Sequence, residues 1–237
     1  MRTSIRNNAP HGIPRALIAG LIGAAAMLLG ANAGSALEFA KHASDSDTVN
    51  AIEVKGKVEA GDAVALQAYI AKLPIKRVTT VYLDSLGGSF EEGMALGRFF
   101  HRAKIRTVVG AGVTCTSACT TAFLGGRDAE TGKPWRAKGS TARLGFHSFR
   151  LNWADKDYTA EDMSRAIAQT QKMTLAMADY MKEVDASLGF LRARLKAPAS
   201  GMNYMSNEEA LALGLYVINE RTGELISPEF FKAQQNR

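Results

Sequence analysis

The chain has 237 residues, in which 29 lysines and arginines outnumber 23 aspartates and glutamates and give a formal net charge of +6. The first 36 residues hold three of those arginines and no acid, so the remaining 201 residues carry only 26 basic against 23 acidic side chains. An excess this small gives no reason to expect a nucleic-acid partner. The length after residue 36 suits a single α/β domain with a sizeable core.

Residues 1–36 have the composition of an export signal. Three arginines precede an uninterrupted apolar run over residues 16–30, which ends in small residues and is short for a membrane span. Cleavage after Ala33 and cleavage after Ala36 fit equally well, and an uncleaved N-terminal anchor is the alternative. We therefore expect a periplasmic or secreted protein that has no integral membrane domain after its signal is cleaved.

The predicted elements alternate between strands and helices. Apolar alternation and β-branched residues predict strands over residues 52–58, 78–83, 105–109, 143–147 and 215–218. Apolar residues at helical spacing predict helices over residues 62–73, 89–103, 117–124, 159–184 and 206–213. Strand, turn and helix follow one another twice, which predicts right-handed βαβ units and an at least partly parallel sheet.

Capping residues support several of these helices. Asp62 is a candidate cap for the first helix, Ser206 caps the last, and Gly214 is placed to stop it. Thr159 followed by Asp162 resembles a capping box, although Glu or Gln is the usual partner. These signals fix where the predicted helices begin and end.

The chain shows no internal repeat and no low-complexity tract, so we expect one domain. A polar lead over residues 37–49 precedes that domain, which covers residues 50–220. A polar, glycine-containing loop is expected over residues 125–140, and a loosely attached C-terminal tail over residues 221–237.

The two cysteines, Cys115 and Cys119, are four positions apart. On a helix this spacing brings their Cα atoms within disulfide range, and an exported protein reaches a compartment that permits disulfides. A bond that stiffens the turn around Ser117 and two small buried thiols are both open. The pattern is not a C-x-x-C redox motif, and two thiols alone make no zinc site, so we expect no metal and no cofactor.

Residues 82–147 contain the groups that a serine-nucleophile site needs. A serine hydroxyl requires a base within hydrogen-bond reach and N–H donors directed at the developing oxyanion. Ser117 lies among small residues after a predicted strand, His147 closes another strand, and the pair Gly87 and Gly88 follows a third. The same residues are also compatible with ordinary packing.

Several familiar catalytic and phosphate-binding motifs are absent from the sequence. Ser117 lies in no G-x-S-x-G, no serine begins S-x-x-K, and no H-E-x-x-H occurs. Gly110 and Gly112 lack the third glycine of a dinucleotide-binding loop, and Gly126 and Gly132 are separated by five residues where a phosphate loop has four. These absences argue against an α/β-hydrolase, a nucleotide-binding fold and a zinc peptidase.

Four separated motifs occur in one order over roughly residues 50–220. Residues 83–89 read L-D-S-L-G-G-S, Ser117 follows, residues 146–147 read F-H, and residues 204–215 read Y-M-S-N-E-E-A-L-A-L-G-L. They resemble the L-N-S-P-G-G-S turn, the nucleophile, the catalytic histidine and the closing helix of the Clp protease proteolytic subunit and its crotonase-like relatives. The chain is most similar to the exported ClpP-like proteins of bacterial envelopes.

The resemblance implies an α/β fold, a ClpP/crotonase-like spiral of βαβ units with a long C-terminal helix. It implies that Ser117 is the nucleophile, that His147 is the general base, and that the N–H groups of Gly88 and Ala118 form the oxyanion hole. It also implies a peptide or protein substrate and assembly into a homo-oligomer.

The sequence departs from the family where the orienting aspartate is expected, because Met202 occupies that position. Asn203 is next in line and could orient the imidazole, but it cannot stabilise an imidazolium by charge. Asp179 and Asp185 on the predicted long helix are the other possible third members. Nothing in the sequence chooses among these three residues.

The resulting hypothesis is an exported serine-peptidase-like protein with a ClpP-type Ser-His site, slow or inactive because the third-member aspartate is missing. The alternative is a non-catalytic envelope module that keeps the fold for binding or assembly. Acyl-CoA chemistry on a crotonase fold is disfavoured because an exported chain does not meet coenzyme A. A serine-lysine dyad that uses Lys133 or Lys138 is a further alternative.

Overall fold

The computed structural model describes residues 36–149, 157–197 and 201–235. The predicted export signal, residues 1–36, lies outside these ranges except for its last residue. Over the three described ranges, no helix combines the length and the hydropathy that crossing a bilayer requires.

The described ranges form ten strands and seven helices. The strands are β1 (Glu38–Lys41), β2 (Val49–Lys55), β3 (Val78–Asp84), β4 (Arg106–Val109), β5 (Thr114–Thr116), β6 (Arg136–Gly139), β7 (Arg143–Phe146), β8 (Asn203–Tyr204), β9 (Tyr216–Ile218) and β10 (Leu225–Ile226). The helices are α1 (Asp62–Ile70), α2 (Phe90–Ala103), α3 (Ala118–Phe123), α4 (Ala160–Glu183), α5 (Gly189–Leu195), α6 (Asn207–Ala212) and α7 (Pro228–Gln235).

Seven strands form one sheet, called the large sheet here, in the order β1-β2-β3-β4-β6-β9-β10. Its five inner strands are parallel to their neighbours, and only β1 and β10 at the two edges run antiparallel. Helices connect most of the parallel strands, as parallel pairing requires. The predicted α/β class and the predicted parallel sheet are confirmed.

Three short strands form a second sheet, called the small sheet, in the order β5-β7-β8. β5 runs parallel to β7, and β8 runs antiparallel to β7. The small sheet begins where β3 ends, because Ser85 N–H donates to Thr114 O at 3.1 Å and Thr116 N–H donates to Ser85 O at 3.0 Å. The peptide after β3 thereby joins the two sheets.

Helices α2, α3 and α4 pack closely beside the sheets. Gly97 in α2 leaves space that the Tyr180 ring of α4 fills, since a Cβ at Gly97 would overlap the Tyr180 hydroxyl. That hydroxyl donates to Thr121 O in α3 at 2.7 Å. α4 begins at the predicted capping box, in which Thr159 and Asp162 bond reciprocally. Its buried residues are Met177, Tyr180 and Met181, all near its C-terminal end.

The structure corrects the expected loop over residues 125–140, because its second half forms the inner strand β6. Arg136 and Lys138, which suggested a loop, are 3% and 1% exposed. The Arg136 guanidinium donates to Val184 O and Asp185 O, and the Lys138 amine donates to the Asn207 side chain. Buried cations of this kind are tolerated when their N–H groups find acceptors.

Other segments are also more ordered than the sequence suggested. The lead contributes β1, which pairs with β2, and the tail contributes β10 and α7, whose Phe231 packs against the core. Asp62 opens α1 but is not its cap, because Gly61 takes that position with φ of 99°. The Asp62 carboxylate instead accepts from Glu59 N–H at 2.7 Å and Leu37 N–H at 3.3 Å. It therefore ties the lead to the start of α1.

Candidate functional site

Ser117 lies at a sharp turn between β5 and α3. Its backbone angles, φ 59° and ψ −120°, fall in a region that residues other than glycine rarely adopt. Such strain persists only where surrounding structure enforces it, and it is concentrated at functional sites. The same strand-turn-helix geometry presents the nucleophile in serine hydrolases that use an elbow motif. Ser117 is half-buried, so the turn leaves it partly accessible.

The predicted glycine turn packs directly against Ser117. A Cβ at Gly87, where φ is 97°, would lie 2.6 Å from the Ser117 Cβ. A Cβ at Gly88, where φ is 152°, would overlap the carbonyl oxygen of Val58. Both positions therefore require glycine, for space as well as for backbone conformation. The turn brings main-chain atoms, rather than side chains, next to the serine.

The N–H groups of Gly88 and Ala118 are available as donors. In the parallel bridge between Val58 and Gly88, Val58 N–H donates to Gly87 O at 2.9 Å and Ser89 N–H donates to Val58 O at 2.8 Å. The N–H of Gly88 itself therefore points away from Val58. Ala118 is the first residue of α3, where helix N–H groups have no acceptor within the helix. Neither N–H has an acceptor within the part of the chain that the structure describes.

His147 follows β7 directly and is half-buried, like Ser117. In the parallel pairing of β5 with β7, Thr116 lies opposite Gly145, and Ser117 N–H donates to Gly145 O at 3.2 Å. The two predicted catalytic residues thus stand just beyond the carboxyl ends of neighbouring parallel strands. Open α/β folds commonly bind ligands at such ends.

A main-chain carbonyl fixes the proton on the His147 ring. The Nδ1 atom lies 2.6 Å from Ser148 O. A carbonyl only accepts, so Nδ1 donates, and the neutral ring presents Nε2 as the acceptor. This is the tautomer that a general base needs. Sequence reasoning looked for a side chain in this role and missed the carbonyl of the next residue.

The structure gives the three proposed third members other surroundings. Asn203 lies opposite Phe146 in the pairing of β7 with β8, and its Nδ2 donates to Ala193 O at 2.9 Å. Asp179 is exposed on α4. Asp185 Oδ2 accepts from Arg127 Nη1 at 3.1 Å. No carboxylate among these is brought to the ends of β5 and β7.

Met202, which replaces the expected aspartate, lies beside the small sheet. A Cβ built at Gly145 would come within 2.8 Å of the Met202 Cγ, so the two residues are in direct contact. Gly145 is two positions before His147. Position 202 is therefore close to the base, although the residue that occupies it cannot orient an imidazole by hydrogen bonding.

Cys115 and Cys119 form a disulfide, with Cα atoms 5.4 Å apart. Both residues are fully buried, one in β5 and the other in the first turn of α3. The bond therefore closes a small loop that contains Ser117. The sequence could not choose between bonded and free thiols because the separation depends on the Ser117 backbone angles.

Arg194 on α5 was not anticipated from the sequence. Its Nη1 donates to His147 O at 3.3 Å, and its Nη2 donates to Ser117 O at 3.4 Å and to Thr121 Oγ1 at 3.0 Å. The guanidinium thus contacts both strand ends that carry the predicted nucleophile and base. A lone arginine in a short helix that the sequence did not predict provides no signal for such a role.

The lysines of the alternative dyad lie elsewhere. Lys138 is in the large sheet between β4 and β9 and bonds Asn207, and burial lowers the pKa of its amine. Lys133 is exposed in the loop before β6. Within the three described ranges, no cluster of histidine, cysteine, aspartate and glutamate has the arrangement of a metal site.

The ends of β5 and β7 therefore carry a half-buried serine, a histidine in the base tautomer and the N–H of Ala118, and the turn after β3 that packs against Ser117 adds the N–H of Gly88. Such a group can activate a hydroxyl and bind an oxyanion. No protein-family model matches the chain, and no curated protein matches it significantly in sequence.

Proposed function

We propose that this chain is an exported serine hydrolase of the ClpP/crotonase type that acts on peptide or protein substrates in the periplasm or outside the cell. The observation that carries the proposal is the strained backbone of Ser117, at a strand-to-helix turn packed against Gly87. A serine that only packs in the core does not require strained backbone angles. The order of the four sequence motifs supports the same assignment.

In the proposed reaction the Ser117 hydroxyl oxygen attacks the substrate carbonyl while His147 Nε2 takes the hydroxyl proton. The N–H groups of Gly88 and Ala118 donate to the oxyanion, and one such donor typically contributes roughly 3 to 4 kcal/mol. The tetrahedral intermediate expels the amine, which receives the proton from His147. Water then attacks the acyl-enzyme by the same route in reverse.

The proposed turnover is slow because Met202 stands where the orienting aspartate is expected. Ser148 O fixes the tautomer, as an aspartate does in a triad, but it carries no charge that stabilises an imidazolium. In a well-studied protease, replacing the triad aspartate by asparagine costs about four orders of magnitude because the imidazole takes the wrong tautomer, so the loss expected here, with the tautomer held by Ser148 O, is smaller. Single-turnover acylation is therefore the reaction to measure.

The test is labelling of the purified protein, without its signal, by a fluorophosphonate probe. We expect labelling of the parent, none of Ser117→Ala, and a rate for His147→Ala that is lower by at least about 100-fold. Circular dichroism establishes that each variant is folded. A folded parent that takes up no probe would contradict the proposal.

The alternative function, a non-catalytic binding or assembly module, is favoured by one observation: Met202 stands where a carboxylate is expected. Its signature is a folded, unlabelled parent whose assembly is unaffected by Ser117→Ala. We also propose that the chain forms a homo-oligomer. Three apolar side chains of α4, Met163, Ile167 and Leu175, are 48%, 57% and 63% exposed, and a second copy would cover such a stripe.

A further inference from the structure

Arg194 is a buried cation in the middle of the candidate site. It is 2% exposed, and burial lowers the pKa of its guanidinium to about 10, so it remains charged at neutral pH. Within the described ranges it forms no salt bridge, and its Nε has no hydrogen-bond acceptor. An isolated buried charge of this kind is destabilising unless its contacts compensate. The contacts it does make are therefore informative.

Those contacts join the segment that carries the serine to the segment that carries the histidine. Beyond the ladder of β5 and β7, Arg143 N–H donates to Val113 O at 2.9 Å at one end of the paired strands, and Ser117 N–H donates to Gly145 O at 3.2 Å at the end that carries the serine and the histidine. Arg194 adds a second link, since one nitrogen donates to Ser117 O and the other to His147 O. The planar guanidinium fixes the directions of its N–H groups, which makes it suited to hold two carbonyls at a set separation.

Two further contacts hold the guanidinium itself in place. Nη2 also donates to Thr121 Oγ1 at 3.0 Å, and Thr121 lies in α3, the helix that starts directly after Ser117. The ring of Phe149, two residues after His147, lies 5.4 Å from the guanidinium carbon. A cation over an aromatic face is attracted to it. Arg194 is thus held by residues that follow the serine and by residues that follow the histidine.

A second buried arginine shows what a purely structural role looks like. Arg136 is 3% exposed, its guanidinium also has a pKa lowered to about 10 by burial, and its Nε likewise has no acceptor within the described residues. It donates to Val184 O and Asp185 O, at the C-terminal end of α4. Cations stabilise helix C-termini in this way. Arg136 therefore caps a helix, whereas Arg194 contacts the candidate nucleophile and base.

We propose that Arg194 is a positioning residue that sets the separation of Ser117 and His147 by binding both main-chain carbonyls. This inference rests on the proposed hydrolase function. Arg194 acts through the backbone and does not touch the substrate. A displacement of about 1 Å between reacting groups can cost about 100-fold in rate, so the loss of this link reduces acylation far more than it reduces binding of the probe.

The experiment compares Arg194→Met, Arg194→Lys and the matched control Arg136→Met. For each folded protein, the fluorophosphonate concentration is varied to separate the maximal labelling rate from the half-saturating concentration, and thermal unfolding is recorded. We expect Arg194→Met to lower the maximal rate about 100-fold with less than about twofold change in half-saturation. Arg194→Lys, which keeps the charge, recovers part of the rate. Arg136→Met lowers the unfolding temperature but keeps the rate.

Hydrogen exchange separates a failure of this inference from a failure of the proposed function. In Arg194→Met we expect faster amide exchange in peptides that cover residues 114–118 and 146–149, with no change there in Arg136→Met. If the parent takes up no probe, the hydrolase assignment is wrong, and hydrogen exchange still shows whether Arg194 holds the two segments together. Unchanged exchange in both peptides, or equal labelling rates in Arg194→Met and Arg136→Met, would overturn the positioning role. Should Arg194→Met not fold, Arg194→Lys decides by the same two measurements.

Discussion

The two sheets of this molecule are built differently, and the candidate site lies on the weaker one. In the large sheet β2 and β3 pair over seven residues in register, and their side chains fill the core. In the small sheet the strands have two to four residues. The small sheet is reinforced instead by a disulfide, by backbone packing at two glycines and by the Arg194 guanidinium. Substitutions at these few reinforcements should therefore affect the site more than substitutions along the large sheet.

The largest expected effect is that of Gly88→Ala. A Cβ there would overlap Val58 O, and the φ of 152° is unfavourable for alanine. We therefore expect the free energy of unfolding to fall by at least about 3 kcal/mol and labelling by the probe to be lost. Urea denaturation measures this loss. Gly214→Ala is the matched control, since φ is 89° but no atom lies within 4 Å of the added Cβ. We expect it to cost about 1 kcal/mol. Equal costs would remove the special role of the glycine turn.

The double variant Cys115→Ala with Cys119→Ala is expected to rank second. The disulfide closes a loop of five residues around Ser117, and removing such a loop closure costs about 2 kcal/mol. We expect that decrease in the free energy of unfolding and a slower labelling rate in the folded fraction. The parent treated with a reductant under unfolding and refolding conditions is the control. A variant that labels as fast as the parent would show that the bond does not support the serine turn.

The third prediction tests whether a carboxylate at position 202 is enough to raise the activity of the candidate site. Met202→Asp puts a carboxylate beside Gly145, two residues before His147, where it can stabilise the imidazolium. We expect the labelling rate to rise about tenfold, which corresponds to about 1.4 kcal/mol. Met202→Asn is the uncharged control and should give a smaller gain. A decrease in both variants would mean that position 202 only packs against the sheet.

The smallest effect is expected at the edge of the large sheet. Hydrogen bonds from Lys41 first, and then from Lys76, lower the pKa of Asp45 to about 2. A carboxylate with a lowered pKa stabilises the fold fully above its ordinary value, and the stabilisation is lost as the pH falls toward 2. Asp45→Asn should therefore unfold at slightly less urea than the parent at pH 6, and the gap should narrow below about pH 4. Its labelling rate at pH 7 should be unchanged.

Much of the large sheet was predictable because its strands carry β-branched residues and its helices carry recognisable caps. Helix α2 before β4, the long helix α4 and the Ser206 cap of α6 all follow from the local sequence pattern. β6 was missed because its charged residues look like a loop in sequence. Their side chains are buried against carbonyls that come from distant parts of the chain.

Of the candidate site, the sequence predicted the residues but not the contacts that surround them. Motif order led to Ser117, His147, Gly88 and Ala118. β5 and β8 are too short to produce an alternating pattern, and the carbonyl of Ser148 is a backbone group that any residue would supply. Arg194 lies in a helix of seven residues that has no clear apolar periodicity. Such contacts depend on the tertiary arrangement and carry no local signal.

Helix α4 has a mechanical consequence for this arrangement. Its 24 residues extend about 36 Å, yet its buried residues are confined to the last two turns. A force applied to residues 160–176 would therefore act on the domain through the short buried part of the helix. That buried part includes Tyr180, whose hydroxyl donates to Thr121 O in α3. Since α3 starts next to Ser117, this hydrogen bond is one of the contacts through which a displacement of α4 would reach the serine turn.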